Sequence, residues 1–190
     1  MLLYHGTESQ EIDEFDLKHA RKEGMDFGIG VYLTSNYTQA KKWSCKNKKH
    51  KGAVYVFDVN FNNTTLSFEK FDRKDEDLYY LLCFCRLELE DIACFACDKF
   101  DGADVVWGPL LDGRMKGEFL SLAKNFNDGD ITFEKFVKSI KLHSKSKDQF
   151  CFKTEKSIEL LNESLRRKEI IKKEDSKMRV IETKYFNQGK

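Results

Sequence analysis

A single proline, Pro109, and only eleven glycines in 190 residues exclude a low-complexity or linker-dominated chain, so most of the sequence must lie in regular elements. The few glycines are then expected where the backbone needs them. Charge of one sign is also missing: 33 Lys and Arg against 32 Asp and Glu leave a formal +1. That balance excludes a polyanion-coating protein, although local basic patches remain. No segment approaches the roughly 18 apolar residues of a membrane span. The start, MLLYHGTESQ, lacks the basic and apolar stretches of an export signal. A soluble, cytoplasmic protein is therefore expected, with its six cysteines (45, 83, 85, 94, 97 and 151) as reduced thiols. What the chain does hold is 41% hydrophobic residues, sixteen of them Phe, enough apolar surface for one real core. No internal repeat is evident.

Met1–Tyr4 reads as a short strand ending in a His-Gly turn. Phe27 to Thr34 reads as a glycine-rich turn feeding a short strand, and Ser35 or Asn36 can cap a helix through Lys46 whose apolar side includes Ala40 and Trp43. Ala53–Val59 is the plainest strand, dense in β-branched and aromatic residues. Asp75–Leu89 carries Leu78, Leu81, Leu82 and Cys85 at helical spacing, and Ala103–Trp107 is a strand stopped by Gly108-Pro109. Residues 114–124 and 132–142 are helical candidates. Gln149–Lys153 is a short strand, and Thr154 can cap a helix through about Arg167, with Ile158, Leu161 and Leu165 on one side. Strands and helices alternate without a βαβ rhythm, which favours an α+β fold. The domain is expected over 1–165. Residues 166–190 are expected as a charged C-terminal tail or helix, with Arg179-Val180-Ile181 as a candidate last strand. Over 163–190, nine Lys/Arg stand against five Asp/Glu, so this end is basic.

Three pieces carry chemistry: Tyr4-His5-Gly6-Thr7, then Asp26-Phe27-Gly28-Ile29-Gly30-Val31-Tyr32-Leu33-Thr34 with Ala40 and Trp43 following, then Asp148 through Thr154. Alone, each reads as an ordinary turn or strand end. In this order they resemble the ADP-ribosyltransferase superfamily, in the branch that includes diphtheria toxin and the poly(ADP-ribose) polymerases and is named for a His-Tyr-Glu triad. More narrowly the chain looks like an uncharacterised bacterial family with a YHGT start, a DFGxGxYLT second motif, a GP-containing strand end and a QxxFxT third motif. The resemblance spans about residues 2–160.

That resemblance implies two small packed β-sheets with an NAD cleft between them and helices outside. It implies that His5, Tyr32 and Gln149 form the catalytic set, and that His5, Gly6, Thr7, Gly28, Gly30, Tyr32 and Trp43 bind NAD as co-substrate. The Gly6 backbone would bond the nicotinamide carboxamide, His5 a ribose hydroxyl of the adenosine half, and Tyr32 and Trp43 would sandwich the nicotinamide ring. The implied activity is mono-ADP-ribosylation of an intracellular protein or nucleic acid, with NAD hydrolysis as a side reaction. The setting it implies is a toxin–antitoxin or phage-defence pair, in which a small inhibitor protein restrains the enzyme. One position departs from the triad: Gln149 stands where the polymerases place Glu. An amide can meet a ribose hydroxyl but brings no negative charge to an oxocarbenium, so polymer synthesis is disfavoured. The nearest acids are Asp148, expected on the opposite strand face, and Glu155 beyond the strand.

Other features have plainer readings. Cys83-x-Cys85 and Cys94-x-x-Cys97 could hold Zn²⁺, but buried thiols on an apolar helix are the stronger reading, and no metal is expected. Lys41, Lys42, Lys46, Lys48, Lys49 and Lys51 with His50 form either a solvated helix end or a patch facing the NAD pyrophosphate or a nucleic acid. His19 and His143 read as surface residues, and no catalytic role is assigned to Asp112 or Arg114. Against the enzyme stand a binding module for NAD or ADP-ribose without turnover and a zinc-stabilised interaction domain.

Overall fold

The computed structural model describes residues 1–20, 25–46, 51–87, 102–111, 116–142, 147–174 and 177–186. Along the chain run β1 (Leu2–Thr7), β2 (Val31–Leu33), α1 (Tyr37–Ser44), β3 (Lys51–Asp58), a 3₁₀ turn (Phe61–Asn63), β4 (Phe68–Lys70), α2 (Glu76–Leu87) and β5 (Val105–Pro109). There follow α3 (Lys116–Asn127), α4 (Phe133–Ser139), β6 (Asp148–Phe152), α5 (Glu155–Glu163), β7 (Leu165–Glu174) and β8 (Lys177–Tyr185). The fold is α+β. One four-stranded sheet has the order β1-β3-β7-β8 and is antiparallel throughout; the second has the order β2-β6-β5-β4, with β4 parallel to β5.

Strand alternation assigns each sheet two apolar faces. Leu3, Tyr55, Phe57 and Ile170 of the first sheet meet Val31, Leu33, Val105, Phe150 and Phe152 of the second in one buried cluster, which Ile158 and Leu161 of α5 join. The sheets therefore pack on one another. The outer face of the second sheet, with Tyr32, Val106 and Cys151, is covered by Leu78 and Leu82 of α2, Phe119 of α3 and Phe136 of α4. The outer face of the first sheet is covered by α1 through Ala40 against Val54, Val56 and Ile171. At their adjoining edges the sheets are stitched by a reciprocal pair of backbone bonds, Tyr4 N to Thr34 O at 2.9 Å and Thr34 N to Tyr4 O at 3.0 Å.

Local capping explains why the helices start where they do. Asn36 accepts the Gln39 amide at the head of α1, and Thr154 with Ser157 forms a reciprocal capping box at α5. The expected helix from Thr154 ends early, at Glu163 rather than about Arg167. Among the described residues beyond it, β7 and β8 replace the expected tail or helix. β7 pairs with β3 from Lys51–Lys172 to Phe57–Leu165, and β8 pairs with β7 in turn. Non-local ladder bonds together with burial of Ile170 and Ile171 override the helical propensity of a Lys/Arg/Glu-rich stretch. The basic end is thus built into a sheet, where Lys41 Nζ of α1 donates to the Met178 carbonyl at 2.9 Å. β5 also runs through Gly108 and ends at Pro109, two residues beyond the expected stop at Trp107. No helix among the described residues is long and apolar enough to cross a membrane.

Candidate functional site

The junction between β1 and β2 brings two of the motifs together. His5 Nδ1 lies 2.8 Å from the Tyr32 carbonyl oxygen. A carbonyl can only accept, so Nδ1 carries the proton. Burial pushes the His5 pKa below its ordinary value, the Tyr32 bond opposing it only in part, so the ring is neutral near pH 7 and Nε2 is left as an acceptor. Phe15 packs edge-on against the ring, with centroids 5.2 Å apart. Thr7, two residues on, accepts the Ser9 amide at 3.1 Å.

Because the folded-state His5 pKa is lowered, the unfolded chain binds the extra proton. Stability from neutral His5 is therefore complete above the unfolded value of about 6.5 and is lost as pH falls below it. Urea unfolding at a series of pH values is expected to show a decline just below about pH 6.5 that His5→Gln flattens. Parallel curves for the two proteins would contradict it.

Tyr32 is buried, and its hydroxyl is tied into the glycine-rich turn: it accepts the Phe27 amide at 2.9 Å and donates to the Gly28 carbonyl at 2.7 Å. Burial raises its pKa well above the ordinary range. The hydroxyl anchor fixes the plane of the ring, and the ring belongs to the core cluster on the outer face of the second sheet. Gly28 has a φ of 79°, which an L side chain rarely adopts. A Cβ on Gly30 would collide with Cys151 and the Phe152 carbonyl. These two glycines therefore serve the turn and its approach to β6. Gly6 has a similar reason: a Cβ there would strike the Ala40 carbonyl of α1, so the close approach it permits is that of a helix. Trp43 sits in the last turn of α1, half-buried and outside all three core clusters.

The third motif lies beside the second through the β2–β6 ladder, which pairs Tyr32 with Cys151. Two residues away on the same strand face, Gln149 is 3% exposed. Its Nε2 donates to Asp26 Oδ2 at 2.5 Å and to the Pro109 carbonyl at 3.3 Å. Asp26 is also 3% exposed. Its Oδ1 accepts Arg86 Nε at 2.6 Å and pairs with a terminal Arg86 nitrogen, while Oδ2 accepts the Leu111 amide at 3.2 Å. A buried Asp26–Arg86 ion pair thus stands directly behind Gln149. Asp148 points to the opposite face, where it accepts Thr34 Oγ1 and the Ser35 amide, both at 3.0 Å, and Trp107 Nε1 at 3.3 Å.

Asp26 stands in the DFG motif but its role escapes a reading of spacing alone, and Arg86 escapes it altogether. A signal was present: Leu78, Leu82 and Arg86 recur every four residues, which puts an arginine on the apolar face of α2 and calls for a buried counter-charge. Gln39 was missed too. It is buried, donates to the Asp148 carbonyl at 3.0 Å and leaves its Oε1 without a partner among the described residues.

The four described cysteines, Cys45, Cys83, Cys85 and Cys151, are not joined in disulfides. Burial pushes the Cys83 and Cys151 thiols up to about 12, so both are inert apolar groups at neutral pH. Cys94 and Cys97 lie outside the described residues, as do Lys48, Lys49, His50, Asp112, Arg114 and His143. Among the described residues no cluster of metal-ligating side chains occurs. His19 is exposed and bonded to Asp16 at 2.8 Å. Residues 1–162 match the model of a family described as a protein of unknown function, DUF3990. No curated protein and no solved structure matches the chain.

Proposed function

We propose that this chain, which belongs to the DUF3990 family, is a mono-ADP-ribosyltransferase that uses NAD as its substrate and transfers ADP-ribose to a protein or nucleic acid. The observation that carries the reading is the direct link between the motifs: His5 is bonded to the backbone of Tyr32, and Tyr32 is paired across the ladder with a residue two positions from Gln149. Motifs 27 residues apart in one case and over a hundred in the other converge on one strand junction.

In that reading the bond that breaks joins C1′ of the ribose to the pyridinium nitrogen. Nicotinamide leaves neutral, taking the bonding pair, and the sugar becomes oxocarbenium-like. An acceptor nucleophile then bonds to C1′ and gives up its proton. Binding and orienting the dinucleotide accounts for most of the work. His5 Nε2, an acceptor, takes a ribose hydroxyl; the Gly6 peptide meets the carboxamide; Tyr32, its plane fixed by the Phe27–Gly28 turn, and Trp43 flank the cationic ring with about 0.5–2 kcal/mol of cation–π attraction. Gln149 accepts a hydroxyl of the nicotinamide ribose. A transferase of this kind needs restraint in its own cell, so a small inhibitor protein belongs to the proposal.

Incubation with labelled NAD and cell lysate tests it. Label transfer or nicotinamide release is expected, falling about tenfold or more in His5→Ala and in Gln149→Ala, the kinetic value of one lost hydrogen bond of roughly 1.4 kcal/mol. Turnover unchanged by both substitutions would overturn the assignment. Nuclease and protease digestion of the labelled product then separates the acceptor classes. A second reading, an NAD or ADP-ribose binding module, is favoured by the uncharged amide at Gln149; binding without turnover, abolished in Trp43→Ala, would establish it.

A further inference from the structure

We infer that Asp26, held by Arg86, is a positioning residue that locks the Gln149 amide into one orientation, making it an obligate acceptor and barring a carboxylate from that position. The inference rests on the functional reading above only for what Gln149 accepts.

An amide offers two donor hydrogens on nitrogen and an acceptor oxygen, and its two ends are sterically alike. Here the surroundings choose. Nε2 faces the Asp26 carboxylate at 2.5 Å and the Pro109 carbonyl at 3.3 Å, both acceptors, so both amide hydrogens are used. Turning the group over would press its oxygen against two other oxygens. With both amide hydrogens used, Oε1 is the atom of the amide that can meet a ligand, and it can do so only as an acceptor. A ribose hydroxyl suits it; a carbonyl or phosphate oxygen does not.

The same geometry explains why an amide stands where the related enzymes carry Glu. The buried negative charge of the site already resides on Asp26, balanced by Arg86 and satisfied further by the Leu111 amide. A carboxylate at 149 would touch a second carboxylate, both buried, with one arginine between them. The carboxylate of this cluster stands on the glycine-rich turn, one hydrogen bond behind the amide. The atom offered to substrate stays an acceptor, but it delivers a polarised amide oxygen in place of a full charge.

A charge exchange tests this on the full chain. Gln149→Glu is expected to lower the thermal midpoint, and Asp26→Asn added to it is expected to restore most of the loss, because the single negative charge then remains in the cluster and an amide again faces a carboxylate. The effects of the two substitutions would be strongly non-additive. In nuclear magnetic resonance spectra the Gln149 side-chain NH₂ pair, assigned by its absence in Gln149→Glu, is expected to exchange with water at least tenfold more slowly than a surface glutamine, and faster once Asp26→Asn is made. Where NAD is turned over, the exchanged double variant is expected to exceed Gln149→Glu in kcat with a similar KM. A Gln149→Glu protein as stable as the parent, a double variant no better than the single, or Gln149 amide protons exchanging like those of a surface residue would each overturn the lock. The stability and exchange arms decide it even if no NAD turnover is found, so failure of the enzymatic reading remains separable.

Discussion

Arg86→Ala is expected to lower the unfolding free energy by about 3–5 kcal/mol, the cost of stranding a buried charge. The Asp26 carboxylate, 3% exposed, would keep only the Gln149 and Leu111 donors among the described residues, and the guanidinium, whose carbon lies 5.6 Å from the centre of the Phe119 ring, would leave a void between α2 and α3. For a chain of this length each kcal/mol moves the midpoint by roughly 2–4 °C, so a shift on the order of 6–20 °C should appear in a calorimetric or circular-dichroism melt. Replacing both partners with apolar residues of similar size is expected to cost less than removing Arg86 alone, since no unpaired charge remains. A melt within a degree or two of the parent for Arg86→Ala would show that the pair is solvated and contributes little.

Gly6→Ala should be nearly as damaging, by roughly 3 kcal/mol, at the upper end of overpacking costs. Its methyl group would meet the carbonyl of Ala40, and the same helix is held one turn later where a Cβ on Gly52 would meet the carbonyl of Ser44. Backbone cannot rotate aside as a side chain can, so α1 must lift from β1 and β3. Gly117→Ala, where a Cβ meets nothing within 4 Å, supplies the control: in a helix it should be neutral or stabilising by up to about 1 kcal/mol. Urea midpoints for the two variants settle the comparison, and a Gly6→Ala protein as stable as Gly117→Ala would mean that α1 does not bear on β1 through this glycine. Because α1 also carries Trp43, loss of NAD binding in Gly6→Ala cannot by itself identify a contact between Gly6 and the ligand.

The elements that could be read from the sequence are those whose cause is local. Asn36, Thr132 and Thr154 cap the helices that follow them, and the β-branched run at 53–59 forms the central strand β3. β7 could not be read in that way, because LRRKEIIKKE has good helix formers at most positions and is a strand only through its pairing with β3, whereas the candidate strand Arg179-Val180-Ile181 lies within β8. β4, three residues long, owes its existence to Val105–Trp107 alongside it. At the site, the nearness of His5 to Tyr32 and of Tyr32 to β6 agrees with the order of the motifs. The Asp26–Arg86 pair joins residues 60 apart, and only the arginine on an apolar helix stripe gave a hint of it. The packing reason for Gly6, the Ala40 carbonyl that a Cβ there would meet, could not be read from the motif, because it comes from a helix more than thirty residues on.

The matched family segment ends before the first sheet is complete. The family match stops at residue 162, yet β7, which begins at Leu165, is hydrogen-bonded along β3, buries Ile170 and Ile171, and offers Glu169 to the Tyr37 hydroxyl of α1. Cut at the family boundary, β3 would become a naked edge of Ala53, Val54, Tyr55 and Val56, open to pairing with any extended chain it meets. The first sheet is therefore completed by residues beyond the matched segment. A relative that lacks β7 must close that edge by other means, with a strand of its own or one borrowed from a neighbour.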